Sequence, residues 1–308
     1  MLTTLRELLQ EAEAHNQAVR AFNVYNLESA QAVLQAAEAL DAPVILATSE
    51  KALRYGGWRE LGALLRTMAE RARVPVALHL DHGSSVESVL LALRHGWSSV
   101  MLDGSHLPYE ENVALTREAV RVAHAVGVSV EGELGEIAGI EDDRAVDEQR
   151  ARLTDPEQAR AFVKATGVDA LAVAVGTSHG AYKYRGTPRL DLERLADIHA
   201  RVPVPLVLHG ASGVPETLVQ EAHDLGMDIG DPRGVPDDLL REAVRRGIRK
   251  VNTDTDLRLA FTVAVRRYLR DHPGVFDPRR ILGAAREAMV EVVRHRIQVL
   301  RGGHPDDG

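Results

Sequence analysis

Short apolar runs alternate with longer amphipathic stretches along most of this chain. The apolar runs are typical of strands buried on both faces, and they lie at Val19–Val24, Pro43–Ala47, Pro75–Leu80, Ser99–Leu102, Val128–Leu134, Ala170–Val175, Pro205–His209 and Arg249–Thr253. Between most of them, helical spacing of the apolar residues predicts helices, for example at Leu27–Leu40, Trp58–Ala72, Val86–His95, Tyr109–Val126, Pro156–Thr166 and Leu190–Ala200. Repeated strand and helix without hairpins predicts parallel strands joined by crossover helices.

Eight predicted strands in 308 residues favour a closed (β/α)8 TIM barrel, of the α/β class, over an open doubly wound sheet. No G-x-G-x-x-G follows the first strand, which argues against a dinucleotide-binding fold. A helix at Asp256–Arg270 completes the eighth unit, so the amphipathic segment Asp277–Leu300 is predicted as an extra C-terminal helix. No linker marks a boundary. We therefore expect one domain over residues 1–301 and a disordered tail over 302–308.

Composition and charge exclude several classes of function. The net charge of −8 argues against a nucleic-acid partner, and no apolar run approaches the ~20 residues that span a membrane. Glu7, Glu11 and Glu13 interrupt the segment where a signal peptide would be apolar, so a cytoplasmic location is expected. Instead, Thr4 and Glu7 form a capping box that begins an N-terminal helix. The chain has no cysteine, so any metal must be held by histidines and carboxylates.

Polar side chains collect where the predicted strands end. The third strand ends in Asp81 and His82, and later strands end in Asp103, Glu131, Glu133, His179, His209, Asn252 and Asp254. Ligands of α/β proteins bind at the carboxyl ends of the strands. A single strand-end histidine is more often structural, but three of them, each followed directly by glycine, indicate a catalytic zinc site with an open coordination position.

Glycine-rich loops accompany the histidines. Gly180, Gly210 and Gly213 let the backbone approach a ligand with its amides pointing at it, and Ser212 adds a hydroxyl. Such loops late in a barrel usually bind phosphate. We therefore predict a phosphate cradle here, to which residues 252–255 also contribute.

A metal, a phosphate cradle and carboxylates together favour proton abstraction beside a carbonyl group. The metal would polarise the carbonyl oxygen and stabilise an enediolate, while the carboxylates move protons. A Schiff-base lysine would be the alternative. Lys250 is the one lysine near a predicted strand, and because it precedes that strand rather than ending it, we expect it near the opposite rim, which argues against an imine mechanism.

The motifs HLDHG, VEGELGEIAGIED, GTSHG, LHGASG and KVNTDTDLR together resemble those of class II, metal-dependent fructose-bisphosphate aldolases, and the resemblance runs from about Leu5 to about Leu300. It implies a (β/α)8 lyase that reversibly splits fructose 1,6-bisphosphate, in glycolysis and gluconeogenesis, into dihydroxyacetone phosphate and glyceraldehyde 3-phosphate. It also implies a catalytic Zn²⁺, a second divalent metal, a monovalent cation, a phosphosugar substrate and a homodimer or homotetramer.

The resemblance also implies residue roles. Zinc would be held by His82, His179 and His209. Asp81 would be the acid and base at the oxygen that becomes the aldehyde, and Glu141 would take the proton from dihydroxyacetone phosphate. Glu141 lies in the polar stretch between Gly135 and Thr154, which we expect to be irregular and to act as a mobile lid. The second metal position would use Asp103 and Glu133.

Substrate contacts are implied for Asn23, Ser49, Gly180, Gly210, Ala211, Ser212, Asn252, Thr253, Asp254 and Thr255. An arginine at the position of Arg279 would reach the active site of a neighbouring subunit and bind the second phosphate. The substrate has two phosphates and the cradle accounts for only one, so a second anchor is needed. A planar guanidinium suits that task, because its donors match the oxygens of a phosphate. Ala138 and Lys51 depart from the family pattern, in which glycine is common at both places.

Three alternatives stay open. Tagatose-bisphosphate aldolases share nearly all these motifs and differ by one stereocentre of the substrate. A metal-dependent hydrolase would usually carry H-x-H at its first strand, which here ends in FNVYN. A non-catalytic sugar-phosphate sensor would need neither Asp81 nor Glu141.

The Arg279 assignment predicts a selective defect. Replacing Arg279 by alanine should weaken cleavage of fructose bisphosphate by ~2–5 kcal/mol, the range for truncating a buried charge contact. Proton exchange on dihydroxyacetone phosphate alone should barely change, because it uses only the first anchor. Equal losses in the two assays, or a fully active monomer, would place Arg279 outside the site.

Overall fold

The computed structural model describes residues 1–141, 144–146, 152–179 and 189–301, and it describes the backbone alone at 138–141, 144–146 and 179. The expected tail over 302–308 lies outside the described residues. Within the described ranges, no helix combines the length and apolar character needed to cross a membrane.

The described strands, in chain order, are β1 (Leu2–Thr3), β2 (Val19–Asn23), β3 (Val44–Ser49), β4 (Val76–Gly83), β5 (Ser99–Leu102), β6 (Ser129–Leu134), β7 (Ala138–Glu141), β8 (Arg144–Val146), β9 (Ala170–Val173), β10 (Ser178–His179), β11 (Leu206–Leu208) and β12 (Ile248–Thr253). Eight of these described strands pair in parallel in the order β4-β3-β2-β12-β11-β9-β6-β5, and β5 pairs with β4 to close the ring. The predicted (β/α)8 TIM barrel is therefore confirmed. Strand β1 pairs in parallel with the start of β4 as an addition to the barrel.

The described helices are α1 (Leu5–Ala14), α2 (Leu27–Ala39), α3 (Glu50–Gly56), α4 (Trp58–Arg71), α5 (Val86–Arg94), α6 (Tyr109–His124), α7 (Pro156–Thr166), α8 (Leu192–Arg201), α9 (Glu216–Asp224), α10 (Asp237–Arg245), α11 (Thr255–Asp271) and α12 (Pro278–Leu300). The extra C-terminal helix is confirmed as α12, which begins after an Asp277 cap and packs against α11 and α2. Its buried residues include Met289, Val293 and Ile297, from the predicted apolar stripe.

The amino-terminal half of the barrel interior is apolar and closed by α1. Small inward-facing residues such as Ala21, Ala47 and Ala77 form one cluster with Leu5 and Leu9 of that helix. The predicted capping box is present, since the Thr4 hydroxyl accepts a hydrogen bond from the Glu7 amide and the Glu7 carboxylate accepts one from the Thr4 amide. This cluster closes the barrel at the end opposite the strand ends that carry the candidate site residues.

The polar stretch after β6 is more regular than the sequence suggested. Strands β7 and β8 pair as an antiparallel hairpin, and β7 also pairs in parallel with β10, so that Gly139 lies opposite His179. The expectation of an irregular segment is thus wrong for these residues. Their backbone N–H and C=O groups pair with neighbouring strands, so the segment can form regular strands although its sequence is polar. The role as a lid remains a prediction.

Candidate active site

A bulge in β4 brings two consecutive side chains into the barrel. Side chains of a regular strand alternate between faces, so Asp81 and His82 would point in opposite directions. The register between β4 and β5 shifts by one residue between Leu80 and Gly83, and His82 has a left-handed φ of 49°. Bulges of this kind re-aim side chains beside active sites. The strained backbone at His82 is therefore what places its ring beside Asp81.

The rings of His82 and His209 face each other at the carboxyl end of the barrel. The Nε2 atom of His82 lies 2.8 Å from Nδ1 of His209, and the ring centroids are 4.6 Å apart at nearly a right angle. On their other sides, His82 Nδ1 contacts Asp103 at 3.2 Å and His209 Nε2 contacts Glu131 at 2.8 Å. When both outer nitrogens donate to these carboxylates, the two facing nitrogens carry lone pairs, which is the state of histidines that bind a metal.

Glu131 belongs to a charged pair in the middle of the barrel. Its second oxygen accepts a hydrogen bond from Lys250 Nζ at 2.8 Å, and both side chains are 0% exposed. Burial raises the pKa of Glu131, but the Lys250 ammonium, the hydrogen bond from His209 and the nearby ring of His79 together outweigh it and hold that pKa well below its usual range. Burial lowers the pKa of His209, against the opposing effect of its bond to Glu131. The ring of His209 is therefore neutral, and it lies beside the ionised carboxylate of Glu131.

The expected location of Lys250 was wrong. The side chain does not lie at the opposite rim but projects into the barrel from the middle of β12, and it also lies 3.4 Å from His79 Nε2. Burial and the nearby ammonium lower the pKa of His79 to about 3, so this ring is neutral as well and contacts the Ser99 hydroxyl at 2.8 Å. The case against an imine mechanism now depends on the ion pair of Lys250 with Glu131.

Asp81 is held in one orientation by two amide side chains. Asn23 donates to one carboxylate oxygen at 2.7 Å and Asn252 to the other at 2.9 Å, and Asp81 is 1% exposed. These residues come from β2, β4 and β12, which are neighbours around this part of the barrel or nearly so. The arrangement presents an oriented carboxylate beside the paired histidines, as general acid and base chemistry requires.

Two overlapping groups of side chains could hold metal ions in the described part of the chain. One consists of Asp81, His82 and His209, and the other of His82, Asp103 and Glu133. Within each group the ligand atoms lie within 4.8 Å of one another. Imidazole nitrogens and carboxylate oxygens, without thiolates, suit a divalent ion such as Zn²⁺. The donor set and its orienting carboxylates therefore fit a metal, and the structure brings together four of the five predicted ligands.

The fifth predicted ligand and the predicted base are only partly described. His179 ends β10 and Glu141 ends β7, and both strands belong to the small sheet that follows the barrel strands β6 and β9. Their side chains lie outside the described residues, as does the whole of Gly180. Their roles stay predictions.

The loops predicted to bind phosphate lie against each other, but some of their polar groups bond to the protein instead of facing a ligand. The Ser212 hydroxyl accepts a hydrogen bond from the Asp254 amide at 3.3 Å, which joins the loop after β11 to the end of β12. Gly210 has a φ of 62° and passes against the Ser178 backbone, where a side chain would not fit. The Gly213 amide, expected to face a ligand, donates instead to Asp256 at 3.1 Å. The Thr253 hydroxyl is likewise turned away, since it accepts from Arg20 at 2.9 Å.

Asn23 and Ser49 line a cavity that sequence analysis did not anticipate. It has a volume of about 440 Å³ and also contains Lys51 and Arg258. Arg258 donates to Asp254 at 2.7 Å. It is the fourth residue of α11 and the last residue of the KVNTDTDLR motif, and that position was the available signal. Arg279 is 90% exposed and pairs with Asp277 of its own chain at 2.8 Å.

A parallel barrel whose carboxyl rim gathers imidazoles, carboxylates and glycine loops is the architecture of a barrel enzyme with a candidate metal centre. The family model for class-II fructose-bisphosphate aldolase matches residues 3–229 and 232–303. The chain belongs to this family and is an aldolase, a lyase, as the motifs indicated.

Relatives in other organisms support this membership over the full length. A fructose-bisphosphate aldolase from Thermus caldophilus is 55% identical over 299 residues, which cover 97% of this chain and 98% of the relative. One from Helicobacter pylori is 44% identical over 301 residues, with 97% and 98% coverage. Among solved structures, a putative fructose-1,6-biphosphate aldolase from Coccidioides immitis has a TM-score of 0.81 at 31% identity and covers 97% of this chain and 96% of its own.

The contact between Glu131 and His209 predicts a metal-binding defect in Glu131→Gln. The substitution removes the charge that favours the metal-binding tautomer of His209 and leaves Lys250 buried without its counter-ion. We expect metal affinity to fall about 10- to 100-fold, as for other residues that orient a ligand. Competition with a chromophoric chelator measures it. The matched control is Glu118→Gln, which removes an exposed carboxylate. Equal metal affinity in the two variants would contradict the assigned role.

Proposed function

We propose that this protein catalyses the reversible, zinc-dependent cleavage of fructose 1,6-bisphosphate into dihydroxyacetone phosphate and glyceraldehyde 3-phosphate. The observation that carries the proposal is the meeting of three groups at one point, namely the facing histidines His82 and His209 and the oriented carboxylate of Asp81. Family membership supplies the reaction type. We further propose a cytoplasmic enzyme of glycolysis and gluconeogenesis, built as one domain over residues 1–301.

Each described residue has a defined task in this proposal. His82, His209 and, from β10, His179 would hold the catalytic zinc, which supplies a Lewis acid for the substrate carbonyl oxygen. Asp103 and Glu133 orient His82, lying 3.2 Å and 3.7 Å from its Nδ1, and would take part in a second metal position. Because His209, Asp103 and Glu133 are buried, they limit the access of bulk water to the reacting atoms.

Asp81 would move the proton of the breaking bond. As the C3–C4 bond of the substrate breaks, the hydroxyl proton at C4 passes to the Asp81 carboxylate and the C4 oxygen becomes the aldehyde oxygen. In the synthetic direction the same group returns the proton. The two amides that hold Asp81 keep an oxygen aimed at that position. Glu141 would exchange the other proton, at C3 of dihydroxyacetone phosphate.

The two phosphates of the substrate would bind in different places. Gly180, Gly210–Ser212 and Asn252–Thr255 would contact the phosphate and the hydroxyls of the dihydroxyacetone half; for Thr253 this leaves the backbone. The far phosphate would enter the cavity that contains Asn23, Ser49, Lys51 and Arg258, since guanidinium and ammonium groups suit a phosphate. Arg279 of a neighbouring subunit would complete this pocket, which requires a homodimer or homotetramer. A monovalent cation would accompany the bound phosphate.

Tagatose 1,6-bisphosphate is the alternative substrate. The two sugars differ at C4, where the Asp81 carboxylate acts, and the arrangement of described groups serves either hydroxyl. Substrate choice within this family therefore has to be measured.

Metal removal tests the proposed chemistry directly. The purified protein should cleave fructose 1,6-bisphosphate faster than tagatose 1,6-bisphosphate, lose this activity on verified chelation, and regain it with Zn²⁺ or Co²⁺. Borohydride with dihydroxyacetone phosphate should leave it active, because Lys250 is engaged by Glu131 and forms no imine. A coupled assay for the triose phosphates measures each rate. Full activity of metal-free protein would exclude the proposal, and a preference for the tagatose sugar would select the alternative.

Substitutions at Asp81 and His209 separate proton transfer from metal binding. Asp81→Ala should retain the metal and lose turnover by ~10²–10⁴, the usual range for a general acid or base. His209→Ala should lose the metal itself. Elemental analysis of the two purified variants beside their turnover numbers makes the comparison. An empty Asp81→Ala and a loaded His209→Ala would mean that the two roles are exchanged.

A further inference from the structure

Asp256, the last residue of the NTDTD motif, has no part in the chemistry proposed so far. It lies in the first turn of α11 and is 0% exposed. Its two carboxylate oxygens accept hydrogen bonds from consecutive backbone amides of the loop after β11, from Gly213 at 3.1 Å and from Val214 at 2.8 Å. A buried carboxylate therefore binds the backbone of this loop directly after the residues predicted to contact phosphate.

These two hydrogen bonds hold a segment of the loop whose backbone is strained. Val214 has a φ of 42°, in the left-handed region, which is a genuine outlier for a β-branched residue. Conformations of this kind persist where the surroundings impose them. The two bonds from the Gly213 and Val214 amides to one carboxylate fix the orientation of two successive peptide groups.

Arg296 of the extra helix α12 balances the charge of Asp256. Its Nε donates to the Asp256 carboxylate at 2.7 Å, and the side chain is 3% exposed. Another guanidinium nitrogen contacts Asp237, at the start of α10, at 2.6 Å. A side chain at Gly213 would overlap the guanidinium, so this group lies flat against the loop. An unpaired carboxylate at this depth would be strongly disfavoured.

The same loop is supported by a second contact from behind. The Val235 amide donates to the Ser212 carbonyl at 3.0 Å, and the Gly234 backbone passes so close to Gly213 that a side chain would not fit. On its other side, Ser212 accepts from the Asp254 amide. The position of Ser212 is thus set by groups whose own positions depend on α10, α11 and α12.

We infer that Arg296 and Asp256 are positioning residues for phosphate binding by the loop Gly210–Ser212. The inference rests on the proposed function, in which this loop binds the phosphate of the dihydroxyacetone half. Neither side chain touches the ligand. Arg296 acts through Asp256, and Asp256 acts through the Gly213 and Val214 amides. Helix α12 lies outside the eight β/α units. On this account it supplies the positive charge of Arg296, which keeps the loop Gly210–Ser212 in its binding conformation.

Three variants and one matched control test the inference in the metal-loaded enzyme. Arg296→Met removes the guanidinium, Arg296→Lys keeps a charge without the planar geometry, and Asp256→Asn can accept only one of the two amide bonds. The control is His295→Gln, at the neighbouring position of α12, where His295 also contacts Asp237 at 2.7 Å but makes no described hydrogen bond to the Asp256 carboxylate or to the loop. Calorimetry with inorganic phosphate and with dihydroxyacetone phosphate gives affinities, and steady-state assays give KM and kcat.

The expected result is a defect in binding. The Kd for inorganic phosphate and the KM for the bisphosphate should rise about tenfold to a hundredfold in Arg296→Met and Asp256→Asn, the range of affinity losses when a residue that orients a binding group is removed. Arg296→Lys should lie between these and wild type, while kcat and metal content change far less. The double variant Asp256→Asn/Arg296→Met should lose little more than either alone, since the two groups act as a unit.

Two results would overturn the inference. One is wild-type phosphate affinity in the folded Arg296→Lys and Asp256→Asn variants, which carry the test if Arg296→Met does not fold. The other is an equal loss in His295→Gln. The inference and the proposed function fail separately. A wild-type protein that binds phosphate but cleaves neither bisphosphate contradicts the function, while selective loss of phosphate affinity in the variants would still support the inference.

Discussion

The ion pair of Glu131 and Lys250 is the interaction on which the centre of the barrel depends. It lies between an interior of alanines and valines and the rim where His82 and His209 meet. Buried pairs of this kind add little to stability when compared with apolar residues, because desolvation offsets their attraction. Their value here is orientation. The Glu131 oxygen that Lys250 leaves available fixes the ring of His209. Burial, together with the ammonium, lowers the pKa of His79 and keeps that ring neutral.

The fold was predictable from sequence because each β/α unit carries its own local signal. Apolar strands, amphipathic helices and the Thr4–Glu7 capping box all indicate the same architecture as the observed one. The residues at strand ends were predictable for a related reason. Parallel strands bring their carboxyl ends to one rim, so Asp81, Asp103 and His209 were expected to lie near each other from topology alone.

Features that depend on a single backbone torsion or on distant partners were not predictable. Nothing in HLDHG shows that His82 adopts a left-handed conformation, which is usually left to glycine, and strict alternation would turn its ring outward. Lys250 was misplaced because its distance from the strand end was considered without its reach across the barrel to Glu131. The partnership of Asp256 and Arg296 joins residues 40 positions apart, and no periodicity connects them.

The pairing of the first and last barrel strands has a consequence for how this protein is made on the ribosome. Strand β2 lacks one of its two neighbours until β12 has been synthesised. Asp256, which holds the loop after β11, lacks its counter-charge until Arg296 has left the exit tunnel. The nascent chain therefore carries nearly all side chains of the candidate active site before the last strand and helix that hold them in place have been made. The geometry of the candidate site can therefore form only late in synthesis. A chain that stalls before its last helix keeps the motifs of an aldolase without the geometry of one.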